Sequence, residues 1–308
     1  MRSVILICCL SFSFAYGQDI HFTQWTKNPL YISPSFAGAS EDRARFNFQQ
    51  REQWASVSIP FNTTAMSVDI PFKKNGFGAQ LVIDQAGSSR LSQTNFKLNY
   101  SRELNNWRVG LYVGFANRSI DYTDLVFIDP GEQIESLNKN YLDVGFGFNR
   151  QLNLSFDKVL QFGYSISHLN RPDQSFLSQP DIIPFTHHIF SVVEWELSNQ
   201  LKFYPSLLLS VQDKQRQLNI GGEFSYDLNT IEKNIKLSMG SNYRYDDAIA
   251  FFIGAHYQQT FFSFNYDFNV SDLSPATNNF GAWEIVLTYT LKHLSITRPN
   301  YQACPSFL

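Results

Sequence analysis

Histidine and serine are the side chains of this sequence that could carry out nucleophilic catalysis, with the imidazole as base and the hydroxyl as nucleophile. Six histidines occur in the chain: His21, His168, His187, His188, His256 and His293. His168, beside a long predicted loop, is the best candidate for a catalytic base. No G-x-S-x-G or similar motif accompanies it, so a structural histidine bonded to neighbouring backbone is the favoured interpretation.

Metal binding is the second chemistry to consider. His187 and His188 are neighbours, but successive side chains of a strand point to opposite faces, so their rings cannot share a metal. One loop offers four carboxylates that could ligate Ca²⁺: Asp124, Asp129, Glu132 and Glu135. Their spacing is not that of an EF-hand, and a solvated acidic loop is favoured. We therefore expect a non-enzymatic protein with no cofactor and no metal site.

The elements that must position any site are best seen near the end of the chain. Between Thr260 and Leu291, large apolar and polar residues alternate strictly, as in Phe262, Ser263 and Phe264. Such alternation is typical of a β-strand with two different faces. It fits a sandwich with one wet face, or a strand whose apolar face meets lipid and whose polar face lines a lumen.

Similar segments recur along the chain with hardly a gap. We predict fourteen strands, at 44–54, 63–70, 77–85, 91–101, 107–117, 140–150, 160–168, 185–196, 201–211, 216–226, 234–243, 248–257, 261–270 and 281–291. Their usual length of about 9–11 residues is what a tilted strand needs to cross a bilayer. Strands of soluble sheets are shorter, at about 5–6 residues.

The loops between these strands differ in length according to whether they are odd-numbered or even-numbered along the chain, and so according to the end of the barrel at which they would lie. Those that would face the periplasm are mostly tight, whereas the two longest, 118–139 and 169–184, fall on the other side. Short periplasmic turns and long outer loops are expected of outer-membrane barrels, and a sandwich has no reason to sort them. We therefore predict an all-β transmembrane antiparallel β-barrel of about fourteen strands over residues 44–291, closed by its last strand on the first near Phe46 and Phe48.

Composition and the chain ends complete the domain organisation. The net charge of −3 gives no basic face for nucleic acid. Residues 1–17 have the short positive region, apolar core and small residues of a secretory signal, so we expect cleavage before Gln18 and export to the outer membrane. Residues 292–308 follow the last strand as a periplasmic tail that could dock on a partner or enter the barrel mouth.

Residues 18–43 do not alternate. Their prolines exclude a regular helix or a central strand, and their aromatic residues exclude a solvated tail. We expect an ordered periplasmic or plug segment, packed in the lumen against polar wall residues. The candidate lumen charges are Asp84, Lys97, Glu223, Asp267 and Glu284. An open pore is the alternative, since fourteen strands approach the size of porins.

Several short stretches in order along the mature chain resemble the PorP/SprF family of the Bacteroidetes type IX secretion system. They are His21-Phe22-Thr23-Gln24, Asn28-Pro29-Leu30-Tyr31, Pro34-Ser35-Phe36-Ala37-Gly38, Arg51-Glu52-Gln53-Trp54, Asp84-Gln85-Ala86-Gly87, Ile120-Asp121-Tyr122, His168-Leu169-Asn170-Arg171-Pro172, Tyr204-Pro205-Ser206-Leu207, Tyr266-Asp267-Phe268 and Cys304-Pro305-Ser306-Phe307. Each stretch alone is unspecific, but the ordered set covers essentially the whole mature chain.

The resemblance implies an outer-membrane barrel that serves export or surface attachment of large secreted adhesins, including those of gliding motility. It implies three partners: outer-membrane lipid, a secreted surface adhesin with a type IX C-terminal signal domain, and periplasmic or lipoprotein subunits of the machinery. A diffusion channel for small solutes is the alternative function, and an outer-membrane hydrolase based on His168 is a third.

Candidate partner contacts come from the segments that alternation leaves unexplained. Phe127 and Ile128 are apolar residues of a long outer loop, which is where exposed apolar side chains indicate partner contact. The full candidate set is Asn28, Pro29, Tyr31, Pro34, Phe36, Phe127, Ile128, Asp129, His168, Asn170, Arg171, Pro172, Cys304, Pro305 and Phe307.

Overall fold

The computed structural model describes residues 19–40, 44–55, 59–86, 91–121, 136–228, 235–271, 274–277 and 279–291. Within these ranges the chain forms one closed antiparallel barrel of fourteen strands, which confirms the predicted fold class. The predicted signal sequence, the tail, and the candidate contacts Phe127, Ile128, Asp129, Cys304, Pro305 and Phe307 lie outside the described residues.

The strands match the fourteen predicted segments in order. They are β1 Ala44–Gln53, β2 Phe61–Phe72, β3 Asn75–Ala86, β4 Leu91–Leu104, β5 Trp107–Ile120, β6 Leu137–Ser155, β7 Lys158–Ser167, β8 Thr186–Glu196, β9 Leu201–Gln212, β10 Gln215–Asp227, β11 Ile235–Arg244, β12 Ala248–Tyr257, β13 Thr260–Asn269 and β14 Phe280–Leu291. Many extend beyond their predicted ends, because the hairpin ladders continue into polar residues on both sides of the apolar band.

The barrel closes where the sequence predicts. β14 pairs with β1 along its length, with Phe46 opposite Tyr289 and Phe48 opposite Leu287. Each remaining strand pairs with its neighbours in the chain. The sheet therefore has no open edge through the central part of the barrel, as a structure surrounded by lipid requires.

The alternating residues sort to the two faces of the wall. Phe262 of β13 is 49% exposed on the outer face, whereas Ser263 next to it is 0% exposed on the inner face. Asp267 continues the inner set and Phe268 the outer one. A barrel with an apolar exterior and a polar interior is the outer-membrane type, in which the exterior meets lipid.

Tight turns dominate one end of the barrel. Lys73, Asn105, Asn106 and Gln258 adopt positive φ in these turns, as two-residue hairpin loops require. The strand ends that the two longest connections join, Ile120 with Leu137 and Ser167 with Thr186, lie at the other end. The β9–β10 connection at that same end is also short, with Asp213 at φ 50°, so loop length sorts by end only in part.

Residues 19–40 lie inside the barrel. Two short 3₁₀ turns, Trp25–Lys27 and Pro34–Phe36, flank helix α1, Pro29–Ile32. Each proline opens a helical turn, where a missing N–H has no cost, and each turn then ends within four residues. A second short helix, α2, covers Ser274–Thr277 between β13 and β14.

This N-terminal segment crosses the lumen from end to end. The amide of Asp19 bonds to Gln212 at the long-loop end of β9, whereas Gly38 bonds to Asp69 near the short-turn end of β2. Only the end of the segment next to β1 lies at the short-turn end. Within the described part of the chain, no helix has the length and apolar character to cross a membrane.

A charge on the outer face tests the lipid-facing assignment. Phe264 lies midway along β13, so Phe264→Lys should lower the free energy of unfolding by about 2–4 kcal/mol in lipid vesicles. The control is Leu177→Lys, at an exposed residue of the β7–β8 connection. Urea titration compares the two variants, and equal stability would contradict the assignment.

Candidate functional site

Four buried charges from four strands converge on the N-terminal segment. We call Arg51, Arg244, Asp267 and Glu284 the arginine cluster. Asp267 Oδ2 accepts from Arg51 at 2.8 Å and from Arg244 at 3.0 Å. Arg51 also lies 3.3 Å from Glu284. Two arginines and two carboxylates thus meet in a site where each side chain is at most 4% exposed, and Arg244 also pairs with the exposed Asp247.

Thr23 sits at the centre of this cluster. Its hydroxyl oxygen accepts from both Arg51 and Arg244 at 2.8 Å, and its hydroxyl donates to Asp267 at 2.9 Å. The backbone N–H groups of Thr23 and Gln24 each donate to Glu284 at 2.9 Å. The cluster therefore binds the segment through both side chain and main chain.

Removing one partner of a buried ion pair changes the stability of a protein far more than removing one partner of an exposed pair. Exposed ion pairs contribute about 0–1 kcal/mol, whereas removal of one partner from a buried pair costs about 3–5 kcal/mol because a charge is left uncompensated. Because the charges of the arginine cluster are buried, we expect its hydrogen bonds to Thr23 to stabilise the position of Thr23 more than the same number of exposed hydrogen bonds would. The cluster also joins β1, β11, β13 and β14 across the barrel interior.

The other half of the segment is held by close backbone approach. A Cβ atom on Gly76 would collide with the carbonyl of Ala37, and one on Gly110 would collide with the backbone of Pro34 and Ser35. Ser101 donates to the Ala37 carbonyl at 2.6 Å. Glycines are needed at these wall positions because the segment lies directly against the strands.

Apolar contacts complete the packing on the opposite side. Trp25, Ile32 and Phe36 form a buried cluster with Phe190 of β8 and Leu208 of β9. Val192, two residues after Phe190 on β8, also packs against this cluster from the inner face. The lumen therefore contains a small hydrophobic core built around the segment, not a continuous aqueous channel.

Among the described residues, two large cavities lie on either side of the segment. The one at the long-loop end measures about 790 Å³ and is lined partly by Asp19 and His21. The one at the short-turn end measures about 590 Å³ and is lined partly by Trp25 and Lys27. Thr23 and Gln24, held by the arginine cluster, lie between them. Burial, with the charges of Arg244 and Arg51, lowers the pKa of His21.

His168 holds the outer end of the segment. Its Nδ1 lies 2.9 Å from Asp143 of β6 and its Nε2 lies 3.0 Å from Asp19, which also accepts from Thr186 at 2.6 Å. Burial alone would lower the pKa of His168, but the Asp19 and Asp143 carboxylates raise it to about 9. Burial alone would raise the pKa of Asp19, but the His168 charge holds it well below its usual range.

This geometry leaves His168 unsuited to general-base catalysis. Both ring nitrogens face carboxylates, so the imidazolium has no free nitrogen to accept a proton from a nucleophile. His187 and His188 point to different faces, as expected, and bond to Tyr164 and Ser210 respectively. Within the described ranges no group of metal-ligating side chains is assembled.

The candidate contacts in the N-terminal segment face the barrel interior. Asn28, Pro34 and Phe36 are buried, Pro29 begins α1, and the Tyr31 hydroxyl donates to the Ile20 carbonyl. In this conformation they pack the lumen. A partner would reach them only if the segment left the barrel.

The candidate contacts after β7 are divided. Asn170 bonds to the backbone of Leu142 and Val144 and so ties the connection to β6. Pro172 is buried, whereas Arg171 is exposed, with its guanidinium over the Phe185 ring. Of this group, Asn170 and Arg171 are exposed.

Sequence reasoning identified two members of the arginine cluster and missed the rest. Asp267 and Glu284 were assigned to the lumen by their parity. Arg51 shares the inward parity of Asn47 and Gln49 on β1, and the closing seam pairs it directly with Glu284. The pairing of Arg51 with Glu284 follows from the predicted closure of β14 on β1. Nothing local to Thr23 indicates its role.

Known proteins similar to this chain were found at the family level. A family model described as "Type IX secretion system membrane protein PorP/SprF" matches residues 14–289. A search of curated proteins found no significant match.

Solved outer-membrane barrels share the fold of this chain and have little sequence identity with it. The Ralstonia pickettii toluene transporter TbuX gives a TM-score of 0.55 at 11% identity, covering 87% of this chain and 94% of its own. The Pseudomonas putida toluene transporter TodX gives 0.55 at 10% identity, covering 86% and 93%. At identities this low, the structural similarity shows the barrel fold alone. It gives no information on what this chain binds or transports.

The raised pKa of His168 predicts a pH dependence of stability. A folded pKa of about 9, above an unfolded value of about 6.5, means the charged histidine stabilises fully below pH 6.5. This contribution is lost as pH rises through 9. Because Asp19 is partly exposed, we expect about 1–3 kcal/mol.

The measurement compares the wild type with His168→Gln in urea titrations between pH 6 and pH 10. The stability difference should be largest at the acidic end and should shrink toward the alkaline end. A difference that stays constant with pH would show that His168 contributes packing alone.

Proposed function

This chain belongs to the PorP/SprF family of type IX secretion system membrane proteins, and we propose that it binds a secreted, adhesin-like surface protein and supports its export or surface attachment. The proposal extends to periplasmic or lipoprotein subunits of the secretion machinery as further partners. The chain acts in this role as a non-enzymatic outer-membrane component, with no cofactor.

The observation that carries the proposal is the filled lumen. An extended polypeptide could pass only by displacing residues 19–40, and the arginine cluster and the glycine contacts oppose that displacement. A barrel that cannot conduct a secreted chain serves secretion through its surfaces. We infer that cargo passes elsewhere and that this barrel is a binding subunit.

The long-loop end supplies a structured surface for a secreted partner. Asp173 accepts from the amides of Ser175 and Asp181, which folds the β7–β8 connection onto itself. Lys139 bonds to the same carboxylate at 3.0 Å. The connection presents exposed Leu177 at its tip. A preformed loop with an apolar tip costs little conformational entropy on binding.

A small-solute channel is the second candidate function. The two cavities of about 790 and 590 Å³ lie on opposite sides of Thr23 and Gln24, so displacement of these residues would connect them. The packing of Thr23 and Gln24 opposes this function, since both are buried and bonded to the wall.

Purification from native membranes tests the main proposal. The tagged barrel should recover one large secreted surface protein together with secretion subunits, whereas an unrelated tagged outer-membrane barrel should not. Deletion of the chain should remove that surface protein from the cell exterior. Recovery of the barrel with neither partner, and an unchanged surface proteome after deletion, would contradict the proposal.

A further inference from the structure

Strand β6 overhangs its neighbour at the short-turn end of the barrel. Its pairing with β5 ends at Arg150 opposite Trp107, but β6 continues through Gln151–Ser155, paired only with β7. At the preceding hairpin, β4 extends past its last partner in β3 by Glu103 and Leu104 alone. Among the described residues, none pairs with the free side of Gln151–Ser155.

A free strand edge cannot lie in hydrocarbon. Unpaired backbone N–H and C=O groups cost several kcal/mol each without water, so open edges do not occur within the lipid core. The overhang therefore lies beyond the bilayer interior, on the side where outer-membrane barrels place their short turns, the periplasm. Arg150 over the Trp107 ring marks the adjoining membrane boundary.

The overhang carries apolar side chains into this aqueous region. Leu154 is 56% exposed, and Phe156 at the turn is fully exposed. Outside the lipid core, neighbouring exposed apolar side chains on a free edge indicate a protein contact. The pairing of β6 with β7 is regular through Asn153 and shifts in register before Ser155. The regular part of the free edge, Gln151–Asn153, therefore comes just before the apolar residues Leu154 and Phe156.

The hairpin is held rigidly. The Asp157 carboxylate accepts from Ser155 at 2.5 Å and from the Trp195 indole at 3.1 Å. The Asp157 carbonyl accepts from the Glu196 amide at 2.8 Å, and Lys158 lies over the Trp195 ring. The edge is thus presented in a fixed conformation, which lowers the entropic cost of adding a strand.

We propose that Gln151–Phe156 is a docking edge for an extended β-strand of a periplasmic subunit of the secretion machinery. The partner strand pairs with the free backbone edge of β6 and covers Leu154 and Phe156 with its own apolar residues. This inference rests on the proposed function for the identity of the partner. The kind of contact, strand addition, follows from the edge itself.

Other occupants fit the edge less well. Lipid cannot supply alternating donors and acceptors to a backbone edge. A second copy related by a two-fold axis along the membrane normal would present a strand tilted by about 35–45° in the opposite sense. The two strands would then cross and could not form a ladder.

Site-specific photo-crosslinking tests the proposal in the full-length protein in native membranes. A photoreactive phenylalanine analogue replaces Phe156, with Phe72 of β2 as the control because it is similarly apolar, exposed and at the same end. The residue 156 probe should crosslink to a periplasmic or lipoprotein secretion subunit, at a segment that mass spectrometry maps to a strand. The residue 72 probe should not.

A double variant, Leu154→Asp with Phe156→Asp, supplies the functional arm. It should reduce co-purification of that subunit at least ~10-fold, whereas Leu104→Asp, at the 48% exposed end of β4, should not. Resistance of the barrel to unfolding in detergent confirms that the variants remain folded.

Three outcomes would overturn the inference: crosslinks only to lipid, to a second barrel or to the chain's own tail; subunit recovery unchanged in the double variant; or no subunit recovered with the wild type. The last would also contradict the proposed function. The first two would leave the proposed function standing and remove only this docking edge.

Discussion

The buried ion pairs of Arg51, Arg244, Asp267 and Glu284 are the interaction on which the filled barrel depends. They lie on inward positions of strands that are apolar on the outside, so the charges have no access to lipid and little to water. Each charge is compensated by another and by Thr23 or Gln24. Without the segment, water would have to fill the lumen and replace the hydrogen bonds that Thr23 and Gln24 make to these charges.

The cluster also couples the two ends of the chain. Arg51 and Glu284 face one another only because β14 closes on β1, and Asp267 follows on β13. The binding site for Thr23 is therefore completed when the barrel closes. Gly76 and Gly110 belong to β3 and β5, which pair directly with none of the four strands of the arginine cluster, so the segment links strands that the ladders do not join directly.

The sequence predicted the barrel well because lipid imposes a simple rule on every strand. Residues such as Phe262 and Phe264 must face outward whatever their neighbours are, so alternation alone locates strands and faces. The interior follows no such rule. Thr23 meets Asp267 across 244 positions of sequence, and His168 meets Asp19 across 149, through loops whose paths alternation does not determine.

The site residues also divide into those on strands, whose face follows from alternation, and those outside the strands, whose position does not. Asp267 and Glu284 were assigned to the lumen because strand parity applies to them, and Arg51 follows once the seam is drawn. For residues 18–43 the sequence indicates both an ordered segment in the lumen and a set of partner contacts, and in the structure Asn28, Pro34 and Phe36 are buried inside the barrel. The overhang of β6 depends on the register of two hairpins, which differs by a few residues from the sequence-based boundaries.

Conductance in planar bilayers tests the central claim, a lumen closed by the N-terminal segment through the arginine cluster. The purified wild type should show no steady conductance, and neither should Asp181→Ala, which removes an exposed partner of Arg118. Asp267→Ala, which leaves Arg51 and Arg244 without their shared carboxylate, should produce frequent openings. A steady large conductance from the wild type, or an Asp267→Ala variant as silent as the wild type, would contradict the account.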